Sequence, residues 1–172
     1  KKAVDLFDQR ISKQWGIKTG VAKSWILSEF EHSRSVVLGA FVNNALIGSC
    51  ALVPFDFVFS RLKKFERKKL AEKMMEQGME LSKVAHISGL VVNEKWENKG
   101  VASCLLVGVE KQALIREYAS IVGQTARPTL NNPEIRGLSL VLKLGFSEWS
   151  FDHLLEIPSS TLEKVWVFKK LK

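Results

Sequence analysis

Cysteine, tyrosine and histidine are scarce in this chain: 172 residues carry two Cys, one Tyr and three His. The two thiols, Cys50 and Cys104, lie in apolar segments without metal-ligand spacing. That excludes a cysteine-based zinc site and a disulfide framework of the kind small secreted domains use. They read as buried free thiols in a reducing cytoplasm. No apolar run approaches the length needed to cross a bilayer, and the lysine-rich start is followed by no apolar segment of a signal peptide. Membrane attachment is therefore not expected. No metal-ligand cluster and no Ser-His-Asp ordering appear, so neither metal-assisted chemistry nor a catalytic triad is expected. Internal repeats and low-complexity segments are also missing.

Acidic residues are outnumbered, 18 Asp and Glu against 26 Lys and Arg, for a net charge of +8. Such a balance attracts nucleic acid or an anionic cosubstrate, although a solvated lysine-rich face produces it too. The remaining composition, 46% hydrophobic and 26% charged, is that of a globular protein. The length suits one domain over residues 1–172 with a real core.

The informative stretch runs from His86 to Leu106. Ile87 to Val92 is apolar and β-branched apart from Ser88 and Gly89, which predicts a mostly buried strand. Val101, Leu105, Val109, Leu114 and Ile115 recur at near-helical spacing, which predicts a helix from Gly100 to about Tyr118. The first N–H groups of that helix have no internal partner and sit at the positive end of its dipole. Small residues at the corner let an anionic group come close, Gly100 by lacking a Cβ and Ala102 by keeping the next turn small. Lys99 adds a full charge. A plain strand–turn–helix with a glycine at its corner has the same pattern, so phosphate binding stands beside that reading.

Leu90-Val91-Val92-Asn93-Glu94-Lys95-Trp96-Glu97-Asn98-Lys99-Gly100-Val101-Ala102 resembles the acyl-CoA-binding motif of the GNAT N-acetyltransferases: Leu-x-Val, polar residues, an aromatic, then Gln/Arg-x-x-Gly-x-Gly/Ala. A second stretch, Leu140 to Phe146, is similar to that family's Leu-Tyr-x-Lys-x-Gly-Phe. The resemblance implies an α/β (α+β) fold with a mixed, mostly antiparallel central sheet flanked by helices. It implies acetyl-CoA, or another acyl-CoA, as cosubstrate. Leu90, Val91 and Val92 would meet the pantetheine arm, and Glu97, Asn98, Lys99, Gly100, Val101, Ala102 and Ser103 would cradle the pyrophosphate, with Asn132 as a further contact. Two positions depart from the pattern. Glu97 stands where Gln or Arg is usual, and a carboxylate is repelled by a pyrophosphate unless it turns away; Lys95 and Lys99 offset part of this. Val141 stands where a Tyr often protonates the CoA thiolate.

Elsewhere the stripe Val4, Phe7, Ile11 and Trp15 predicts a first helix, broken over residues 16–20. A second, 21–30, turns Trp25 and Ile26 inward. Residues 35–42 and 45–53 predict a hairpin about Asn43-Asn44, whose side chains tolerate the positive φ of a two-residue turn. The resembled family opens on a strand ahead of its first helix, whereas Lys1 lies almost inside that helix here. Residues 54–83 read as a helical insert between the third and fourth family strands. Phe55, Phe57 and Phe59 alternate there, and one basic helix runs from a Ser60 cap to a Gly78 stop. Its lysines fit a solvated face, a lid, or a docking surface for an acidic or nucleic-acid partner. A strand 119–125, a helix opening at Asn131-Asn132-Pro133 and capped by Gly145, and two strands around residues 158–160 complete the chain.

Acetyl transfer to an amine needs a base, an oxyanion donor and an outlet for the thiolate. His86 shares a strand face with Ser88, Leu90 and Val92 if no bulge intervenes. It titrates near neutrality, and Ser88 could hold a water. His86 is the candidate base, with a structural strand-start histidine as the plainer reading and Glu94 as runner-up. His32 and His153 have no motif context. The implied acceptor is an amine on a small molecule, a protein or an aminoacyl-tRNA, and a second copy of the chain is a further partner expectation. A CoA-binding module without transferase activity is the alternative.

Overall fold

The computed structural model describes residues 1–15, 18–127, 136–149 and 164–172. Two helices open the chain, α1 (Lys2–Trp15) and α2 (Val21–Phe30). Val4, Phe7 and Ile11 on α1 are buried with Ala22 and Ile26 on α2. Asp8, also buried, accepts the backbone N–H groups of Gly20 and Lys23 at 2.8–2.9 Å. A carboxylate on one helix thus caps the positive end of the next. Ile26 is buried as expected, but Trp25 is 43% exposed, because a helix rotates neighbouring side chains by about 100°.

The hairpin forms between β1 (Val36–Val42) and β2 (Ala45–Pro54), with Asn43 and Asn44 at φ +48° and +63°. Residues 55–83 differ from the single helix expected. Phe55, Phe57 and Phe59 lie in a short helix, α3 (Phe55–Arg61), and α4 (Lys64–Glu76) follows after an extended break at Leu62 and Lys63. Ser60 therefore lies inside α3, and its hydroxyl donates back to the Phe57 carbonyl. Gly78 does end α4, at φ +62°, with Met79 N–H reaching the Met74 carbonyl.

β3 (Val84–Val92) leads into α5 (Val101–Ile115), followed by β4 (Ser120–Ala126), α6 (Gly137–Lys143), β5 (Ser147–Trp149) and β6 (Lys164–Lys170). The expected helix start at residues 131–133 and the turn at residues 158–160 lie outside the described residues. Gly145, at φ +83°, closes α6 as expected. The six strands form one sheet in the order β1-β2-β3-β4-β6-β5. Of its pairings among the described residues, only β3 with β4 is parallel.

One face of the sheet carries α5 and α6, around Leu52, Ile87, Leu105, Leu106 and Val109. The other is covered by α1 and α2 at one end and by α3 and α4 at the other. The α5 stripe runs through Ala113 rather than Leu114 and Ile115, which are 49% and 63% exposed. Cys50 is buried, but Cys104 is exposed on α5, because the apolar stripe of 101, 105 and 109 leaves position 104 facing outward. No described helix is long and apolar enough to cross a membrane.

Candidate active site

β3 and β4 part company in the middle of the sheet. Their parallel pairing runs from Val84 opposite Ser120 to Ile87 opposite Gly123. Beyond that point β3 continues to Val92 with no β4 partner among the described residues. Among the described residues its β4-facing side then has no ladder partner, and a strand edge of that kind can accept an extended chain.

A bulge sits at the point of divergence. Ser49 pairs with Val91 and Ala51 with Ser88, so Cys50 alone opposes Gly89 and Leu90. Gly89 takes φ +60°, and a Cβ there would lie 2.6 Å from the Phe30 ring. The extra residue reverses the alternation. Val84, His86 and Val91 face α1–α4, while Ala85, Ile87 and Leu90 pack toward α5. The expectation that His86, Ser88, Leu90 and Val92 share one face is thereby corrected: His86 and Ser88 are followed by Val91.

The turn after Val92 brings the chain to α5. Asn93 accepts the Lys95 N–H at 3.1 Å and starts a 3-10 turn, Glu94–Trp96. Asn98 and Gly100 take left-handed φ values of +59° and +80°. Gly100 is the N-cap of α5 and, without a side chain, makes no cap hydrogen bond, and no described atom lies within 4 Å of where its Cβ would be. Among the described residues no hydrogen bond reaches the amides of Val101, Ala102 and Ser103, at the positive helix end. Behind them, Gly48 of β2 approaches α5 so closely that a Cβ would meet Val101 at 3.0 Å and Leu105 at 3.1 Å.

Charges around this opening are arranged in pairs. Glu97 turns back to α1 and pairs with Arg10, which also reaches Glu94 at 3.5 Å. Lys13 holds Glu94 at 2.7 Å, and this contact keeps the Glu94 carboxyl below its usual range. Glu94 is thus an exposed ion-paired carboxylate, poorly suited to act as a base. Lys99 lies over the Trp96 ring at 4.7 Å. Arg136, at the start of α6, donates to the Asn98 side chain at 2.9 Å. It adds a cation to the same mouth.

His86 lies at the sheet centre, 6% exposed, with its ring 6.1 Å from Phe55 and 5.9 Å from Trp166. Neither ring nitrogen finds a hydrogen-bond partner among the described residues. Burial pushes its pKa down to about 4, so the ring is neutral at pH 7. Enclosure and low basicity weigh against the base role expected for it. Glu29 on α2 stands beside it, its carboxylate 4.0 Å from the His86 Nδ1. Burial raises the Glu29 pKa, partly opposed by a hydrogen bond with Ser88 and by the charge of Arg61. Sequence reasoning missed Glu29. The signal was present: residues 22, 26 and 29 fall on one helical face, and a carboxylate on a buried face requires a reason.

Other expected positions stay apart. Val141 is buried in the α5–α6 core. Tyr118 follows the far end of α5, a helix about 22 Å long for its 15 residues. His32 accepts the Arg34 N–H at 3.2 Å and packs on Phe57. Asn132 and His153 lie outside the described residues. No group of three or more His, Cys, Asp or Glu suited to a metal occurs among the described residues.

A family model described as the acetyltransferase (GNAT) family matches residues 3–138. Among solved structures, an aminoglycoside 6'-N-acetyltransferase complexed with coenzyme A has a TM-score of 0.67 at 13% identity, over 98% of this chain and 91% of that one. A GNAT-family acetyltransferase from Staphylococcus aureus Mu50 also gives 0.67, at 15% identity over 99% and 92%. A ribosomal-protein-alanine N-acetyltransferase from Brucella melitensis gives 0.65, at 13% identity over 98% and 91%. At such identities the likeness speaks for the fold. A search of curated proteins finds no match.

Proposed function

The chain belongs to the GNAT acetyltransferase family, and on that footing we propose that it transfers an acetyl or other acyl group from acyl-CoA directly to a primary amine. Residues 1–172 act as one such domain, in the reducing cytoplasm, without a metal. The observation that carries this reading is the uncapped first turn of α5 opening beside a β3 edge that has left β4.

The pyrophosphate lies against the amides of Asn98 to Ser103, where Lys99 and Arg136 add positive charge. Gly100 fits that role because its position leaves open space. Glu97, the departure from the family pattern, does not repel the phosphates at full strength, since Arg10 neutralises it. The pantetheine arm runs along Leu90, Val91 and Val92 as an added strand. A free N–H on that edge then faces the thioester carbonyl, where a donor in a partly dry site stabilises the oxyanion. Val141 offers no acid, and the departing thiolate takes its proton from the amine or from water.

The acceptor is a small-molecule amine or a protein amine, as the aminoglycoside and ribosomal-protein alanine named for the neighbours suggest. The basic composition keeps aminoacyl-tRNA as a third acceptor. Thioester consumption with an aminoglycoside, a polyamine, an alanine-terminated peptide and an aminoacyl-tRNA tests the reading. Turnover with one of these is expected. Acetyl-CoA binding without turnover on any acceptor would favour a CoA-binding module.

A further inference from the structure

We propose that Glu29, from α2, binds the acceptor's ammonium group and takes its proton, with Ser88 fixing the carboxylate and His86 standing beside it at the mouth between β3 and β4. This rests on the acyltransferase reading above and names the group that meets the acceptor.

Three observations carry it. The first is position. The C-terminal half of α2 lies directly over the β3 bulge, since Phe30 and Ile26 are the side chains a Cβ on Gly89 would meet. Glu29 is on that half and reaches Ser88, the last residue before the bulge. The carboxylate therefore stands where β3 leaves β4, on the face opposite α5. The second is access. The Glu29 side chain is 16% exposed against 7% for His86, so Glu29 is less enclosed than the imidazole. The third is charge. An anionic carboxylate attracts an alkylammonium, and a neutral imidazole does not. His86, with both nitrogens lacking partners among the described residues, presents a polar ring to the carboxylate without competing for its charge.

Other groups facing Glu29 are consistent with this assignment. Arg61 comes from α3, donates to Ser28 and lies 5.2 Å from the Phe57 ring centre. Its charge helps keep Glu29 ionised, opposing the burial that raises its pKa. A carboxylate titrating nearer neutrality than usual is a better proton acceptor at working pH.

The proton inventory closes. Glu29 accepts one proton from the R–NH3+ acceptor. The freed lone pair forms the N–C bond at the thioester carbonyl. Collapse of the adduct breaks the C–S bond, with the electron pair leaving on sulfur. The second amine proton passes to the thiolate, giving CoA–SH and the amide, and Glu29 returns its proton to solvent.

The test compares wild type, Glu29→Gln, Glu29→Asp and Ser88→Ala, using acetyl-CoA titration and the pH dependence of kcat on the amine panel named above. Glu29→Gln should bind acetyl-CoA as wild type does, lose about 100-fold in kcat and lose the acidic limb of the pH profile. Glu29→Asp should recover part of the rate. Ser88→Ala removes a hydrogen bond to the charged form, so its acidic limb should move to higher pH. A Glu29→Gln variant with wild-type kcat and an unchanged acidic limb overturns the proposal. So does an acidic limb that Ser88→Ala leaves in place. Failure of wild type to bind acetyl-CoA overturns the cosubstrate reading, and this proposal with it. Binding without turnover on any of the amines overturns the transferase reading and this proposal with it, whereas a wild-type enzyme that turns over and a Glu29→Gln variant that matches it overturn this proposal alone.

Discussion

The Arg10 guanidinium on α1 is paired with the Glu97 carboxylate, 87 residues away, immediately before the opening of α5. Arg10 is 19% exposed and Glu97 45% exposed. Such a half-exposed pair contributes about 0–1 kcal/mol to folding. Under the proposed acyl-CoA reading its larger effect is on the anion site, because unpairing Glu97 would leave a negative charge beside the phosphates. Arg10→Ala should weaken CoA binding roughly 3- to 10-fold at low salt and less at high salt. Glu97→Gln in the Arg10→Ala background should restore most of the loss. A double-mutant cycle by calorimetry at two salt concentrations checks this, and additive effects would show that the pair does not shield the site.

Gly89→Ala should be costly in two ways. A residue with a Cβ at φ +60° is strained by about 1–2 kcal/mol, and the new atom would lie 2.6 Å from the Phe30 ring. Urea denaturation should show a loss of about 2 kcal/mol or more. Phe30→Ala combined with Gly89→Ala should relieve the clash but not the backbone strain. Equal stability of Gly89→Ala and wild type would mean the bulge is not required by the fold.

Much of the architecture was legible because periodicity survives without tertiary knowledge. Asn43-Asn44, Gly78 and Gly145 marked their turns and stops through conformations that few residues tolerate. The motif from Leu90 to Ala102 marked the uncapped helix start. Other features depended on packing that no local pattern encodes. Phe55, Phe57 and Phe59 alternate like a strand, yet Phe55 is buried in the sheet-facing core and the segment is helical. The bulge at Gly89 inverted the predicted faces beyond Ser88, because one inserted residue turns every later side chain over. Glu29 and Arg10 meet their partners only across the α1–α2 layer.

His86 makes stability pH-dependent. Its folded pKa of about 4 lies below an unfolded value near 6.5. Between these values the unfolded chain binds more protons, so stability is full above about pH 6.5 and falls as pH drops toward 4. The upper bound is about 3 kcal/mol, from 1.36 kcal/mol per pKa unit. Glu29, with its raised pKa, acts in the opposite sense: its burial costs least at low pH, where it is protonated. Urea titrations at pH 7.5 and 5.0 should show wild type losing stability at the lower pH and His86→Phe losing less. Equal losses would mean that His86 is not buried in its neutral form.

Cys104 is exposed and Cys50 is buried with its thiol pushed up to about 12. An aromatic disulfide reagent at pH 8 should label Cys104 in the native protein and reach Cys50 only after unfolding. Two equivalents consumed rapidly by native protein would contradict the placement of β2.

The most direct measurement of the central claim is a titration of isotope-labelled protein with coenzyme A, followed by backbone amide NMR. The account predicts that the largest shifts fall on the amides of Asn98 to Ser103, with smaller ones along Leu90 to Val92. A folded protein whose amides at the start of α5 do not move at saturating coenzyme A would contradict it.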